Sequence, residues 1–275
     1  MNKLISAGFA RLKKDKVFWI SVLLMLGIGI YLPISSYSFS QNYGQPTVLD
    51  SNIFSHIILA FIVFSVFCSL FIGTEYSDGT IRNKIAVGHT RGAVYLANLI
   101  VCTAANLIIL AAYEAAYLCV GIPLLGFFQS DIRTILLFAL CTVGICLAVS
   151  AILTLIAMLC HSKAITTVLC IIGMVILLCA GTYINSRLNQ PEIYSNYSYV
   201  NGAFVEEGEQ PNPLYLRGSE RKVYEFLYDF LPSGQVAQCQ EMTSKHPQLL
   251  LLYSGIILIA ASGAGLCAFR RKDIK

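Results

Sequence analysis

From Val17 to Leu49 the sequence carries no Asp, Glu, Lys, Arg or His. About 20 apolar residues in a helix cross the roughly 30 Å hydrocarbon core of a bilayer, so this stretch is long enough to span one. Further apolar runs of spanning length follow. Only 12% of residues are charged, against roughly a quarter in soluble domains, and the surface of a soluble protein of this length would lack its usual ionised cover. The apolar runs are continuous rather than alternating, which argues against a transmembrane β-barrel. The expected fold is an all-α polytopic membrane protein.

The pattern of apolar runs predicts six spans, at 17–37, 53–73, 93–118, 135–159, 164–184 and 249–269, in one transmembrane domain covering 1–275. Lys13, Lys14 and Lys16 before the first run suggest a signal peptide. That run is too long for one and shows no small-residue cleavage site, so it is expected to be a retained span. Residues 1–16 place Ile5, Phe9 and Leu12 at helical spacing among basic side chains, the pattern of an amphipathic surface helix; a partly ordered basic tail is the other reading. Trp19, Tyr31 and Tyr37 suit the two interfaces of the first span, and Pro33 is expected to kink it. Gly121, Pro123 and Gly126 predict a kinked extension or a re-entrant piece after the third span. Residues 185–247 form the only long polar segment, within which Val223, Phe226, Leu227, Phe230 and Leu231 predict an amphipathic helix over Ser219–Leu231, stopped by Pro232.

Basic residues orient the chain. With both termini inside, the inner segments hold Lys3, Arg11, Lys13, Lys14, Lys16, Arg82, Lys84, Arg91, Lys163, Arg270, Arg271, Lys272 and Lys275, 13 of the 19 Lys and Arg. The first outer loop has none and the second only Arg133, which satisfies the positive-inside rule. The long segment 185–247 is then extracytoplasmic.

Several polar groups were candidates for chemistry. Of ten cysteines only Cys239 lies in a polar loop, and no Cys or His spacing matches a zinc site; no metal and no nucleic acid is expected. His56, His89, His161 and His246 are remote from one another in the sequence. Glu114 is the only acid inside an apolar span, so it is a functional candidate by default, although its depth near the outer interface equally suits helix packing. Asn98 and Asn106 lie on nearly its face; Asn106 joins Glu114 as a possible lining of a substrate path, or serves as an interhelical hydrogen-bonder. Glu206-Glu207 lies in a Gly/Pro-rich loop and does not suit the paired glutamates of a membrane protease. Asn196-Tyr197-Ser198 is a glycosylation sequon only in a secretory-pathway protein. The run Ala260 to Gly265 is expected to allow close helix packing.

The remaining feature is the insert between the second and third spans, 74–92, whose sequence through Arg91 is TEYSDGTIRNKIAVGHTR. Ser77, Asp78 and Gly79 predict a turn, Thr80 a helix cap, and Gly88 the end of a short helix on which Ile81 and Ile85 share a face. Such a helix across the membrane surface suits docking into a groove on another protein; topology alone also accounts for its Arg and Lys. The run Glu75-Tyr76-Ser77-Asp78-Gly79-Thr80-Ile81-Arg82-Asn83-Lys84, after the second of six spans, resembles the EYxxGTIRNK pattern of permease subunits of type-2 ATP-binding-cassette transporters. Phe230-Leu231-Pro232-Ser233-Gly234-Gln235 resembles a motif often found before the last span of these bacterial permeases, and the N-terminus resembles their elbow helix.

The resemblance implies a bacterial cytoplasmic-membrane exporter in which this chain forms half of the path, pairs with a second permease copy or a related chain, and docks a separate ATPase subunit that binds ATP and Mg. Accordingly no cofactor is expected on this chain, which has no GxxxxGK[ST] loop and is not expected to be an enzyme. The implied coupling residues are Glu75, Tyr76, Gly79, Thr80, Ile81, Arg82, Asn83, Lys84 and Ile85. Ile81 and Ile85 would enter the ATPase groove, Arg82 and Lys84 would pair with its acidic rim, and Glu75 would anchor the second span. A non-transporting membrane sensor or immunity protein is the alternative from another class. A secondary transporter is disfavoured by its single intramembrane acid and the lack of an internal repeat.

Overall fold

The structure is a computed structural model that describes residues 1–200, 203–244 and 246–272, without the side chains of 196–200 and 203–207. The side chains of Glu206 and Glu207 and of the sequon Asn196-Tyr197-Ser198, and the terminal Lys275, therefore lie outside the described residues.

A basic helix α1 (Asn2–Lys14) leads into α2 (Lys16–Tyr43). Asp15 divides them: its backbone is extended, and its carboxylate accepts from the Phe18 N–H at 2.9 Å, capping α2. A 3₁₀ turn, Leu49–Asn52, precedes α3 (Ile57–Ser77), and the short α4 (Thr80–Ala86) connects it to α5 (Arg91–Leu125). Then come α6 (Ile132–Leu159) and α7 (Lys163–Leu188), capped by Ser162, and last α10 (Pro247–Arg271). Six helices are long and apolar enough to cross a membrane. α3, α5 and α6 bury more than half of their apolar windows inside the chain, whereas α2, α7 and α10 bury a third or less and flank them. α2 packs on α5, α7 on α3 and α10 on α6.

Contacts place the start of α5 and the ends of α6 and α10 together. Arg91 at the start of α5 donates to the backbone carbonyls of Arg270 (2.9 Å) and Lys272 (2.6 Å) at the end of α10. Lys272 donates to the Met158 and Cys160 carbonyls that end α6 (2.9 and 2.7 Å) and to the Tyr76 hydroxyl (2.9 Å). Burial pushes the Lys272 ammonium down to about 8, so this clasp is charged at neutral pH.

At the opposite end, of the two readings for the segment after the third span, a helical extension is the one that forms. Pro123 does not break the third long helix, which runs on to Leu125, about 52 Å in all at 1.5 Å per residue. The proline sits in the last turn, and Gly126 at φ 84 ends the helix. A further set of short elements lies between α7 and α10. There an antiparallel hairpin, β1 (Ile193–Val200) with β2 (Ala203–Pro211), is followed by α8 (Gly218–Phe230) and α9 (Pro232–Glu241). α8 is the predicted amphipathic helix, with no buried residue. α9 was not predicted and is almost wholly buried, wedged against α6 and α7.

Phe230 to Gln235 is the hinge between them. Pro232 occupies the first turn of α9, where its missing N–H matters least. Ser233 packs on Gly181 of α7. The Gln235 amide donates to the Asp229 carbonyl at 2.9 Å and accepts from the Ser254 hydroxyl at 2.7 Å, tying the hinge to α10. A Cβ on Gly234 would lie 2.1 Å from the Tyr228 carbonyl oxygen, a backbone atom that cannot swing away. Gly234→Ala is expected to destabilise the protein by about 1–3 kcal/mol, as overpacking does, read as a lowered melting temperature in detergent; an unchanged one would refute this account of the hinge. In the small-residue run of α10, Gly265 makes room for the Tyr95 ring of α5, where a Cβ would fall 2.0 Å from the phenol oxygen.

Candidate functional site

At the end bearing α1 and the last turn of α10, the chain between α3 and α5 folds back on itself. Gly79 takes φ 67 at the N-cap of α4, a left-handed conformation open to glycine. Thr80 is therefore the first helical residue rather than the cap, and its hydroxyl donates to the Glu75 carbonyl at 3.0 Å. At the other end, Gly88 (φ 98) donates to the Ile85 carbonyl and His89 to that of Lys84, at 2.9 and 3.2 Å. This is a Schellman closure. The short helix is thus fixed at both ends by backbone geometry.

Glu75, in the last turn of α3, is the centre of the site. Its side chain is 2% exposed, and one carboxylate oxygen is ion-paired with both Arg11 of α1 and Lys84 of α4. The other accepts from the Asn98 amide of α5 at 2.9 Å. Arg11 also donates to the Phe71 carbonyl at 2.8 Å and stacks its guanidinium 3.6 Å above the Phe71 ring. One buried acid therefore joins α1, α3, α4 and α5. Beside it, Tyr76 hydrogen-bonds the Met158 carbonyl and carries the Lys272 ammonium 4.2 Å from its ring, which brings α6 and α10 to the same point.

This placement corrects the expected division of roles on α4. Ile81 is 1% exposed and belongs to the core, and Ile85 packs on it. Lys84 is held by Glu75. These three side chains face the chain itself, since a short amphipathic helix buries its apolar face on the nearest apolar surface. The face left outward is Arg82, Asn83, Ala86 and Val87, with Val87 81% exposed. Val87 was missed because it lies just past the helix and off the Ile81–Ile85 stripe. Arg11 and Asn98 were missed as partners of Glu75, and no local spacing could reveal them: only the tertiary fold brings together positions 11, 75 and 98.

The two candidates deeper in the bundle have different surroundings. Asn106 is fully buried, its amide donating to the Ser150 hydroxyl of α6 at 2.8 Å and contacting the Cys68 sulfur of α3 at 3.4 Å. It joins three helices rather than facing an open path. Glu114 lies near the opposite end of α5, with its carboxylate 3.6 Å from His56 Nε2 and partly exposed in an apolar cavity. Among the described residues no group of His, Cys, Asp or Glu is arranged to hold a metal ion.

Six membrane-length helices, with a basic helix and a polar helical insert locked to them at one end, define a multi-pass membrane protein. Residues 4–180, from α1 through most of α7, match the family described as ABC-2 family transporter protein. The chain belongs to that family, whose members are transporter permeases rather than catalytic domains. No curated protein matches the sequence.

Proposed function

We propose that this chain is the permease subunit of an ATP-driven exporter in a bacterial cytoplasmic membrane, and that it docks a separate ATPase through the outward face of α4. The end bearing α1, α4 and the last turn of α10 is then cytoplasmic, in line with the positive-inside distribution of Lys and Arg. Family membership supports the transporter reading. The observation that carries the docking surface is the two-sided character of α4: Ile81 and Lys84 are fixed to the chain, while Arg82, Asn83, Ala86 and Val87 are free of it.

A force on the outward face passes through the Lys84–Glu75 pair into the ends of α3 and α5 and into α1. α4 would act as a lever, with Glu75 as its fulcrum. ATP and Mg would be held by the partner, and a second copy of the chain or a related permease would complete the path. Purifying the tagged chain from membranes of its native host in mild detergent is expected to bring down a protein carrying a GxxxxGK[ST] sequence, with vanadate-sensitive ATP turnover in the complex. Purification of the chain free of any such protein would argue against the assignment.

A further inference from the structure

Near the end opposite α4, a cavity of about 610 Å³ opens between Ile53 and Phe54, which precede α3, and the facing sides of α5 and α6. That is within the roughly 300–1,000 Å³ typical of ligand pockets. Phe54, Leu110, Phe128, Ile135 and Leu136 supply its walls, and Glu114 is its only ionisable side chain. Leu136 stands at the outward edge, 64% exposed, so the cavity opens on the outer surface of the helix bundle.

Behind Glu114 sits a rigid aromatic wall. Tyr113 stacks on the His56 ring at 3.8 Å and on Tyr117 at 5.5 Å. The two phenols donate to the Asn52 and Leu49 carbonyls, at 2.9 and 2.8 Å. His56 is buried, with Nδ1 3.1 Å from the Ile53 carbonyl. A carbonyl only accepts, so Nδ1 carries the proton and Nε2 presents a lone pair. That Nε2 has no hydrogen-bond partner, and a Glu114 carboxylate oxygen lies 3.6 Å from it. Of these two facing acceptors, only Glu114 reaches the apolar cavity, and His56 stays buried behind it.

We propose that this cavity binds an amphiphilic amine, an apolar body bearing one ammonium group. The ammonium N–H groups donate to the Glu114 carboxylate, the one acid on the wall, and the apolar body fills the space lined by Phe54, Phe128 and Ile135. A phospholipid is the wrong occupant. The phosphate beside its ammonium would enter the same cavity, where no cation lines the wall to receive it. The site lies at the other end of the bundle from α4, so its occupancy is measurable without an ATPase.

The test uses the full chain in nanodiscs of phosphatidylcholine, whose quaternary ammonium has no N–H to donate. The probe is dodecylamine carrying a diazirine on its alkyl chain, with labelled peptides mapped by mass spectrometry. Labelling is expected on α5 and α6 around Leu110 and Leu136, displaced by plain dodecylamine but not by dodecanol. Glu114→Gln is expected to weaken it about tenfold or more, the loss of one charge-assisted hydrogen bond. Leu136→Trp, which closes the opening with the acid in place, should block labelling as well and keeps the test decisive if Glu114→Gln fails to fold. Equal competition by dodecanol, or undiminished labelling of both variants, would mean a lipid crevice without amine recognition. Absence of labelling in the unaltered chain would mean that a proton alone, or a neighbouring chain, satisfies Glu114. Each of these results overturns the proposal.

Discussion

Glu75→Ala is expected to be the most damaging single substitution at the charged end of the protein. It would leave the Arg11 guanidinium and the Lys84 ammonium facing each other with no anion between them, and strip the Asn98 amide of its acceptor. Removing one partner of a fully buried ion pair costs about 3–5 kcal/mol. Arg11 and Lys84 keep 32% and 23% of their side-chain surface exposed, and water screens part of the loss, so about 2–3 kcal/mol is expected. Thermal unfolding in mild detergent reads that change, and limited proteolysis at Arg11, Arg82 and Lys84 reads the loosening of α1 and α4. The triple variant Arg11→Met, Glu75→Leu, Lys84→Met separates stability from coupling. An apolar replacement of a buried charge cluster is often close to neutral, so stability should largely return, whereas ATPase-dependent transport should not. Full transport by the triple variant would show that Glu75 fastens the helices together without transmitting anything between them.

The second large effect belongs to the outward face of α4. Arg82→Glu with Val87→Asp changes two exposed side chains that make no described side-chain contact within the chain, so folding stability should move by less than about 0.5 kcal/mol. If this face docks the ATPase, truncating or reversing central interface residues costs about 2 kcal/mol or more each. The pair should then weaken binding by several hundredfold, abolishing co-purification and stimulated ATP turnover. Ile81→Asp gives the opposite profile. It places a charge in the core and should prevent folding before docking can be tested.

Much of this arrangement was legible in the sequence because its causes are local. Apolar runs of bilayer length have few alternatives to a helix, and Thr90 and Ser162 stand where caps are needed. The Gly79 and Gly88 boundaries of α4 follow from the left-handed backbone that each supplies. What escaped depends on distant partners or on competing signals. The Ile81–Ile85 stripe was legible, but whether an apolar stripe faces the same chain or another one is decided by the surface beneath it. α9 escaped because Pro232 signals the end of α8 and equally the start of a new helix, and burial of polar Ser233, Gln235 and Gln238 runs against composition. The β1–β2 hairpin did have a local signal. Tyr and Val recur among polar residues along 193–200, a strand-like composition, and the polar character of residues 185–247 obscured it.

The central claim is that Arg82 and Val87, and not Ile81, meet a separate ATPase. Site-specific photo-crosslinking in native membranes tests it most directly, with a benzophenone side chain placed at position 87 in one variant and at position 81 in another. A P-loop ATPase crosslinked from position 87, lost in the Arg82→Glu background and absent from position 81, is the result this account predicts. Crosslinks from position 87 to lipid or to the chain itself alone, while ATP turnover stays coupled to transport, would contradict it.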